Sequence, residues 1–264
     1  MIALILIGSC SNNDEIATNS NLGLLKIIEN SYNGNIDYTS EIEYDEDQRI
    51  SLLIINQGNF LTQIYNLKYT GRDLESITLI QQWHLQNIET TIIYAVENKN
   101  NEIILSPNNS ENKIVFLITD GFIDSYKRYW GDNANYVDES VFTRDQNNNI
   151  KDISYYTTNE FDTDLLVWEY TFSNFDSSAK LNSAYNPVFN YSFSLYNPHI
   201  GFVLSLKISN ETPLTSSFLN GNGNFHEENV KAQIVTQENE LVKKLKYSYA
   251  VSPSSEYQLD LQYN

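Results

Sequence analysis

Apolar and polar residues alternate at every second position over long stretches of this chain. Ile36-Asp-Tyr38-Thr-Ser40-Glu-Ile42-Glu-Tyr44, Leu245-Lys-Tyr247-Ser-Tyr249-Ala-Val251 and Tyr257-Gln-Leu259-Asp-Leu261-Gln-Tyr263 keep the pattern longest, and Trp168-Glu-Tyr170-Thr-Phe172 and Tyr191-Ser-Phe193-Ser-Leu195 repeat it over shorter spans. Successive side chains of a strand point to opposite faces, so period two gathers the aromatic and aliphatic groups on one face and Asp, Lys, Gln, Ser and Thr on the other. That is an antiparallel sheet with one wet face. The weight of Tyr, Ile, Thr, Phe and Val at these positions supports strand over helix.

Polar turn clusters separate the alternating stretches: Asp45-Glu-Asp-Gln48, Gly71-Arg-Asp73, Asp120-Gly121, Asp145-Gln-Asn-Asn-Asn149 and Gln237-Glu-Asn239. Each precedes an apolar residue and a second strand, the pattern of a hairpin. The clusters recur on one plan, in which an aromatic residue or Val closes a strand and a polar turn leads to an apolar residue. Tyr44-Asp-Glu-Asp-Gln-Arg-Ile50, Tyr69-Thr-Gly-Arg-Asp-Leu74, Phe142-Thr-Arg-Asp-Gln-Asn-Asn-Asn-Ile150 and Val235-Thr-Gln-Glu-Asn-Glu-Leu241 all follow it. Degenerate repeats of this kind predict a meander in which each hairpin pairs with its neighbours. The expected fold class is therefore all-β, a mostly antiparallel meander forming one large twisted sheet or partly open barrel with few or no helices. Residues 22–29 read as a short amphipathic helix or, at least as well, a first strand. The apolar run at 197–206 reads as a buried strand or a helical turn.

The first residues carry a different signal. Met1-Ile-Ala-Leu-Ile-Leu-Ile-Gly-Ser-Cys10 is an apolar run too short to span a bilayer, ending in two small residues and the chain's one cysteine. It reads as a secretory signal over residues 1–9. Leu6-Ile7-Gly8-Ser9-Cys10 resembles the bacterial lipobox, which implies that Cys10 is the lipidation site and the mature N-terminus. Three acyl chains, at roughly 0.8 kcal/mol per buried CH₂, would hold the domain at a membrane. Residues 10–21 then form a lipidated cysteine and a polar tether, and residues 22–264 one β-sheet domain. With no second cysteine there is no internal disulfide, so packing alone must hold the fold.

Composition narrows the function classes. The 264 residues include 16 Lys+Arg against 34 Asp+Glu, a formal charge of −18. Such a chain repels phosphate backbones, which excludes nucleic acid as a partner. Aromatic residues make up 13% of it and apolar residues 41%, enough to bury a sizeable core.

The hairpin motifs carry a family resemblance. Tyr44-Asp-Glu-Asp-Gln-Arg-Ile50 and Tyr69-Thr-Gly-Arg-Asp-Leu74-Glu-Ser-Ile77 resemble the degenerate tyrosine–aspartate hairpins of Bacteroidetes surface lipoproteins that carry a domain of unknown function related to YD/RHS-repeat sheets. Trp168-Glu-Tyr170-Thr-Phe-Ser-Asn174-Phe-Asp176 and the C-terminal strands are similar to that family's second half. Ser11-Asn12-Asn13-Asp14-Glu15 after the cysteine resembles the export signal of its surface-exposed members. The resemblance implies an outer-membrane, lipid-anchored and surface-exposed location, and it supplies no catalytic residue.

No motif for chemistry stands out. Asp145-Gln-Asn147-Asn-Asn149 imitates the start of a calcium loop, but Ile150 stands where that loop needs Gly and Tyr156 where it needs Glu, so the segment reads as an Asn-rich turn. Asp45 and Asp47 read the same way. His84, His199 and His226 have no ligand spacing, and Asn220-Gly-Asn-Gly-Asn224 lacks phosphate-loop spacing, so neither a metal nor a cofactor is expected. There is no nucleophile elbow. Trp83, Trp130, Tyr126 and Tyr129 lie near turns where a face could be open for sugar stacking or a protein interface, but packing is the reading for each. The expectation is a non-catalytic binding or accessory module that contacts a glycan or an outer-membrane protein through its sheet face, or a structural subunit of such an assembly. The alternative from another class is an extracellular polysaccharide-acting enzyme that uses paired carboxylates.

Overall fold

A computed structural model of the chain describes residues 24–30, 36–47, 49–99, 101–119, 122–131, 137–158, 164–178, 212–220, 230–249 and 252–263. The alternating stretches form strands, joined into sixteen: β1 (Leu24–Asn30), β2 (Ile36–Tyr44), β3 (Ile50–Gln57), β4 (Leu61–Thr70), β5 (Asp73–Trp83) and β6 (Ile88–Lys99) come first. They continue as β7 (Glu102–Pro107), β8 (Lys113–Thr119), β9 (Phe122–Tyr129), β10 (Val137–Arg144) and β11 (Ile150–Thr158). The chain ends with β12 (Asp164–Asp176), β13 (Thr212–Asn220), β14 (Val230–Glu238), β15 (Leu241–Tyr249) and β16 (Ser252–Tyr263). Residues 22–29, open between helix and strand in the sequence, contribute to β1. The signal and lipidation reading at Cys10, the tether, the apolar run at 197–206, His199 and His226 lie outside the described residues.

Every strand pairs antiparallel with its neighbours in sequence, and β1 pairs with β16 through Ile27↔Leu261 and Ile28↔Asp260, which closes the sheet into a barrel. The all-β meander expected from the alternation is thus the observed fold, and β1–β16 pairing removes both of its edges. Among the described residues the β13–β14 seam has the register partners Thr215↔Lys231 and Ser216↔Val230.

Period two sorts the wall into an inner and an outer face. Leu245, Tyr247, Tyr249, Leu259, Leu261, Tyr170 and Phe172 all point inward and are buried. A ring of sixteen strands is wide enough for an aqueous lumen, yet Phe116 and Tyr126 show 0% exposure and belong to one contiguous apolar cluster. At roughly 25 cal/mol per Å² of apolar surface buried, that cluster is the main stabilising element of a chain without disulfides.

The outer face is mainly polar around β1–β2 and β14–β16 and over β9–β12, whereas β3–β8 turn Ile54, Ile64, Ile80, Ile93, Ile104, Val115 and Leu117 outward. Lys26 pairs with Glu41, Lys246 with Glu256, Lys244 with Asp260 at 3.3 Å and Lys127 with Glu139 at 3.2 Å. Asp152 accepts hydrogen bonds from Thr143 and Thr171, and Ser154 donates to Glu169. A lysine facing lipid at the bilayer midplane costs about 2 to 4 kcal/mol. Lys244 and Lys246 stand mid-strand, so the wall at β15–β16 suits water. The exposed ion pairs themselves contribute little, about 0 to 1 kcal/mol each.

Antiparallel alternation sends odd and even hairpins to opposite ends. Of the turn clusters legible in the sequence, those that begin at Asp45, Gly71, Asp145 and Gln237 fall at one end, where β1 enters and β16 leaves, and Asp120-Gly121 lies outside the described residues. There the carboxylate of Asp45 accepts from the N–H groups of Asp47 (3.0 Å) and Arg49 (2.9 Å), and that of Asp145 from Asn147 (2.8 Å) and Asn149 (2.9 Å). The two are one turn repeated, in which the Asp side chain serves its own backbone, as in an Asx-turn. Beside them the Tyr69 hydroxyl donates to the Ile50 carbonyl (2.9 Å) under the Arg49 guanidinium, and Tyr263 donates to the Val242 carbonyl (3.0 Å) under Lys243.

Two turns at this end differ in backbone strain. Gly71 sits at φ +61°, and a Cβ there would meet nothing within 4 Å, so Gly71→Ala should cost about 1 kcal/mol from the backbone alone. Glu240 holds φ +67° without being Gly or Asn, and Glu240→Gly should be neutral or stabilising by about 0.5 kcal/mol. Urea midpoints of the two variants moving in the same direction would contradict this.

Candidate functional site

At the opposite end the inward face changes character. A cavity of about 470 Å³ opens there, walled by β4, β5, β6 and β9 and by the connections around residues 57–60, 83 and 107–112. Its volume lies in the range of small-ligand sites. Leu79, Ile92 and Ile114 supply apolar wall, Phe60, Trp83 and Trp130 stand toward the rim, and Tyr65 and Tyr94 face in from the strands. Among them come Gln57, Gln63, Gln81, Asn109 and Asn112, with Arg128 the one charged side chain of the lining among the described residues.

Register places these groups. In β4 and β5 the inward phase reads Leu67, Tyr65, Gln63, Leu61 and Ile77, Leu79, Gln81, Trp83 toward the mouth, and in β9 it reads Tyr126, Arg128 and then Trp130. The phase that is purely apolar at the turn end thus takes in amides, an indole and a guanidinium at the mouth. Gln63 is 8% exposed and its Nε2 donates to the Tyr65 hydroxyl at 3.2 Å.

The rim is tied by hydrogen bonds between neighbouring connections. The His84 N–H donates to the Phe60 carbonyl at 3.1 Å, His84 Nε2 lies 2.8 Å from Thr62 Oγ1, and Phe60 meets Trp83 edge-on with ring centroids 5.2 Å apart. Asn112 Oδ1 accepts from the Gly131 N–H at 2.6 Å, where Gly131 holds φ +65°. Trp130 Nε1 donates to Asp138 Oδ2 at 2.7 Å, and Thr157 Oγ1 to Asp138 Oδ1 at 3.0 Å, so both carboxylate oxygens are engaged in orienting the indole and bracing β10 against β11. The Arg128 guanidinium lies 5.0 Å from the Trp130 ring and 5.9 Å from the Tyr126 ring.

The sequence-predicted candidates sort as follows. Tyr126 packs, fully buried beneath the cavity, and Tyr129 lies on the outer face under the Lys113 ammonium. Trp83 and Trp130, expected as packing, instead line the cavity, with Trp130 37% exposed. The indoles of Trp83 and Trp130 are at the barrel mouth, away from the wet sheet face where contact was expected. Asp45, Asp47 and Asp145 sit at the far end in their own turns. Gln57, Gln63, Gln81, Asn112 and Arg128 were not singled out by the sequence reading. Their signal is a polar residue falling in the apolar phase of a strand. Among the described residues, arrangements of three or more His, Cys, Asp or Glu fit to hold a metal are absent, and none of those that line the cavity is a carboxylate.

The mouth is also the apolar end of the surface. Of the nine large apolar side chains exposed among the described residues, six stand there: Ile36, Phe60, Leu85, Ile88, Trp130 and Leu165.

No protein-family model matches the chain, and no curated protein aligns with it. Among solved structures the chain is similar to a porin-like protein from Bacteroides vulgatus ATCC 8482, at 13% identity over 92% of this chain and 99% of that one, with a TM-score of 0.47. It is also similar to a porin-like protein from Bacteroides uniformis ATCC 8492, at 11% identity over 91% and 98% of the two chains, with a TM-score of 0.39.

Burial shifts the ionisation of the tyrosines in and under this site to higher pH. Desolvation pushes Tyr126 up, outweighing the Arg128 charge beside it, and does the same to Tyr94; at the other end it pushes Tyr44 up to about 12. In the unfolded chain these groups ionise near 10, so their contribution to stability is full below pH 10 and is lost as pH rises toward 12. Alkaline titration should therefore show part of the tyrosinate absorbance appearing only together with loss of far-ultraviolet β signal. Complete, structure-preserving ionisation near pH 10 would be the contrary result.

Proposed function

We propose that this protein is a non-catalytic, lipid-anchored binding module of the outer-membrane surface, and that it takes a glycan in the mouth of its barrel. The observation that carries the reading is the cavity of about 470 Å³ in which indole and phenol rings alternate with side-chain amides. Pyranose rings offer exactly two kinds of surface, apolar C–H faces and a belt of hydroxyls. The rings of Trp83, Trp130 and Phe60 match the first, and Gln57, Gln63, Gln81, Asn109 and Asn112, each with donors and an acceptor, match the second. A reading as a polysaccharide-cleaving enzyme would need two carboxylates about 5 to 10 Å apart at the site, and the lining offers amides in their place.

The anchor and the mouth fit together. Cys10 and the tether at 11–21 lead into β1 at the turn end, so a lipid on Cys10 would leave the mouth pointing away from the membrane. The tyrosine–aspartate turns on which the resemblance to surface lipoproteins rests would then face the membrane side.

Two measurements test this reading. Trp83 and Trp130 are two of three tryptophans in the chain, so titration with an oligosaccharide panel should change the intrinsic emission. Trp130→Ala, and separately Trp83→Ala, should weaken binding about tenfold or more, since stacking aromatics are the usual anchors of such sites. A panel that leaves emission unchanged while a hydrophobic protein partner protects the same tryptophans would replace the glycan by that partner. For the anchor, Cys10→Ser should release the protein from the outer-membrane fraction, and continued sedimentation with it would sink the lipidation assignment.

A further inference from the structure

Closure of the ring leaves one side of β6 open near the mouth. Toward β5 its partners run from Trp83↔Ile88 to Ser76↔Ala95. Toward β7 the ladder begins only at Tyr94↔Pro107, because β7 has 6 residues and the chain then turns back through residues 108–112 into β8, whose ladder with β9 starts at Lys113↔Tyr129. Residues 88–93 therefore stand above the neighbouring wall for about 20 Å, at roughly 3.4 Å per residue. A contact at the base of this gap shows which backbone groups face it. The Asn108 N–H donates to the Ile93 carbonyl at 2.8 Å, and the Ile93 N–H donates to Asn108 Oδ1 at 3.1 Å. Ile93 thus turns its peptide groups away from β5. Alternation along an antiparallel strand gives Thr91 and Glu89 the same orientation and sends the groups of Ile92, Thr90 and Ile88 to β5. Among the described residues nothing meets the N–H and C=O groups of Glu89 and Thr91 on the open side.

We infer that this edge receives an extended segment of a partner polypeptide, which adds a strand to the wall beside the cavity and carries a Lys or Arg on its outward face. A polypeptide backbone presents donors and acceptors at the repeat that Glu89 and Thr91 display, the basis of strand addition to a sheet edge. Exposed edges are ordinarily blunted by Lys, Pro or a bulge. Ile88-Glu-Thr-Thr-Ile-Ile93 has none of the three, and its register with β5 is unbroken. The edge is already held as a strand, since Gln82 Nε2 donates to Glu89 Oε2 at 3.0 Å and Thr90 Oγ1 to Gln81 Oε1 at 3.4 Å, so little order remains to be gained on docking. Ile88, 49% exposed in the inward phase, and Ile93, 44% exposed in the outward phase, give an incoming strand apolar neighbours on both faces. Glu89 sets the charge of that strand. In a chain of charge −18, a cation opposite its carboxylate makes a favourable cross-strand pair and a second carboxylate an unfavourable one. The inward side chains of the segment lie toward Ile92 and Pro107, which line the cavity, and are therefore apolar. Strand pairing at this edge is independent of what the cavity takes.

The experiment selects binders from a displayed library of random linear peptides on the folded protein and then follows amide hydrogen exchange residue by residue. Selected peptides should alternate apolar and basic positions. A bound peptide should slow exchange at Glu89 and Thr91 about tenfold or more, while Thr90 and Ile92, already bonded to β5, change little. Thr91→Pro removes a donor from the open side and none from the β5 ladder, so it should weaken binding about tenfold or more. Glu89→Lys should disfavour the same basic peptides while leaving the backbone groups in place. A library that enriches no peptide, binders that protect other amides, or binders that take Thr91→Pro as well as the unaltered protein would each overturn the edge assignment. Selection of acidic peptides would overturn the charge given to the segment. Protection of the same two amides by concentration-dependent dimerisation, with no peptide present, would give the edge to a second copy of the chain in place of a partner. If Thr91→Pro fails to fold, methylating alternate amide nitrogens of the selected peptide decides. One phase of methylation should abolish binding and the other leave it within about threefold, because a docked strand uses one of its two edges. Equal effects of the two phases count against strand pairing.

Discussion

A meander of sixteen strands leaves its first and last strands with unpaired backbone groups along their whole length, and such edges recruit other chains. Here the two edges satisfy one another, with Ile27 opposite Leu261 and Ile28 opposite Asp260. Closure does more than hide an edge. Once the ring is shut, each strand has one face committed to the inside, and a slip of one residue at any of the seams would turn a full row of Leu, Ile and Tyr to water. The β4–β5 ladder runs unbroken from Leu61↔Trp83 to Lys68↔Ser76, which makes that wall rigid. The cavity is built on the rigid wall, where register fixes the spacing of Gln63, Gln81 and Trp83 to within the tolerance of a strand.

Much of this architecture was legible from alternation because the in–out phase is a local property. Leu245, Tyr247 and Tyr249 announce their face without reference to any other strand, and they are buried as announced. The Asp45 and Asp145 turns were legible for a similar reason: an Asp serving N–H groups two and four residues ahead is a local event. Closure was not legible, since it depends on the sum of all the registers. The site was missed for a subtler cause. Gln63, Gln81 and Arg128 each look like an irregularity within one strand, and only the ring brings those irregularities to the same end. Trp83 and Trp130 read as core because they continue apolar phases, and they are a continuation of the core until the wall runs out.

The two ends of the barrel divide the labour. The turn end carries short, self-satisfied hairpins with Asp45, Asp145 and the tyrosines that latch Ile50 and Val242. The mouth end carries amides, exposed apolar rings and connections bonded to each other. The charge of −18 is therefore not a feature of the site. Carboxylates of the outer wall such as Glu41, Glu139, Glu256 and Asp260 face lysines across the strands, and the net charge bears on solubility more than on recognition.

A barrel that is dry for part of its height and hollow for the rest faces a conflict, because every polar group placed in the inward phase must be satisfied before a ligand arrives and again afterwards. The mouth meets the first requirement internally: Gln63 donates to Tyr65, Asn112 accepts from Gly131, and Asp138 holds both Trp130 and Thr157. These bonds leave the rings standing and the amides oriented, so little side-chain freedom remains to be lost on binding. They also limit what can bind. A purely aliphatic ligand would cover the amides without replacing water, whereas a ligand with C–H faces and a rim of hydroxyl groups leaves none of them stranded. The selectivity of the mouth thus resides in the strands, in which phase each polar residue occupies, and the connections at the rim serve to hold that arrangement open.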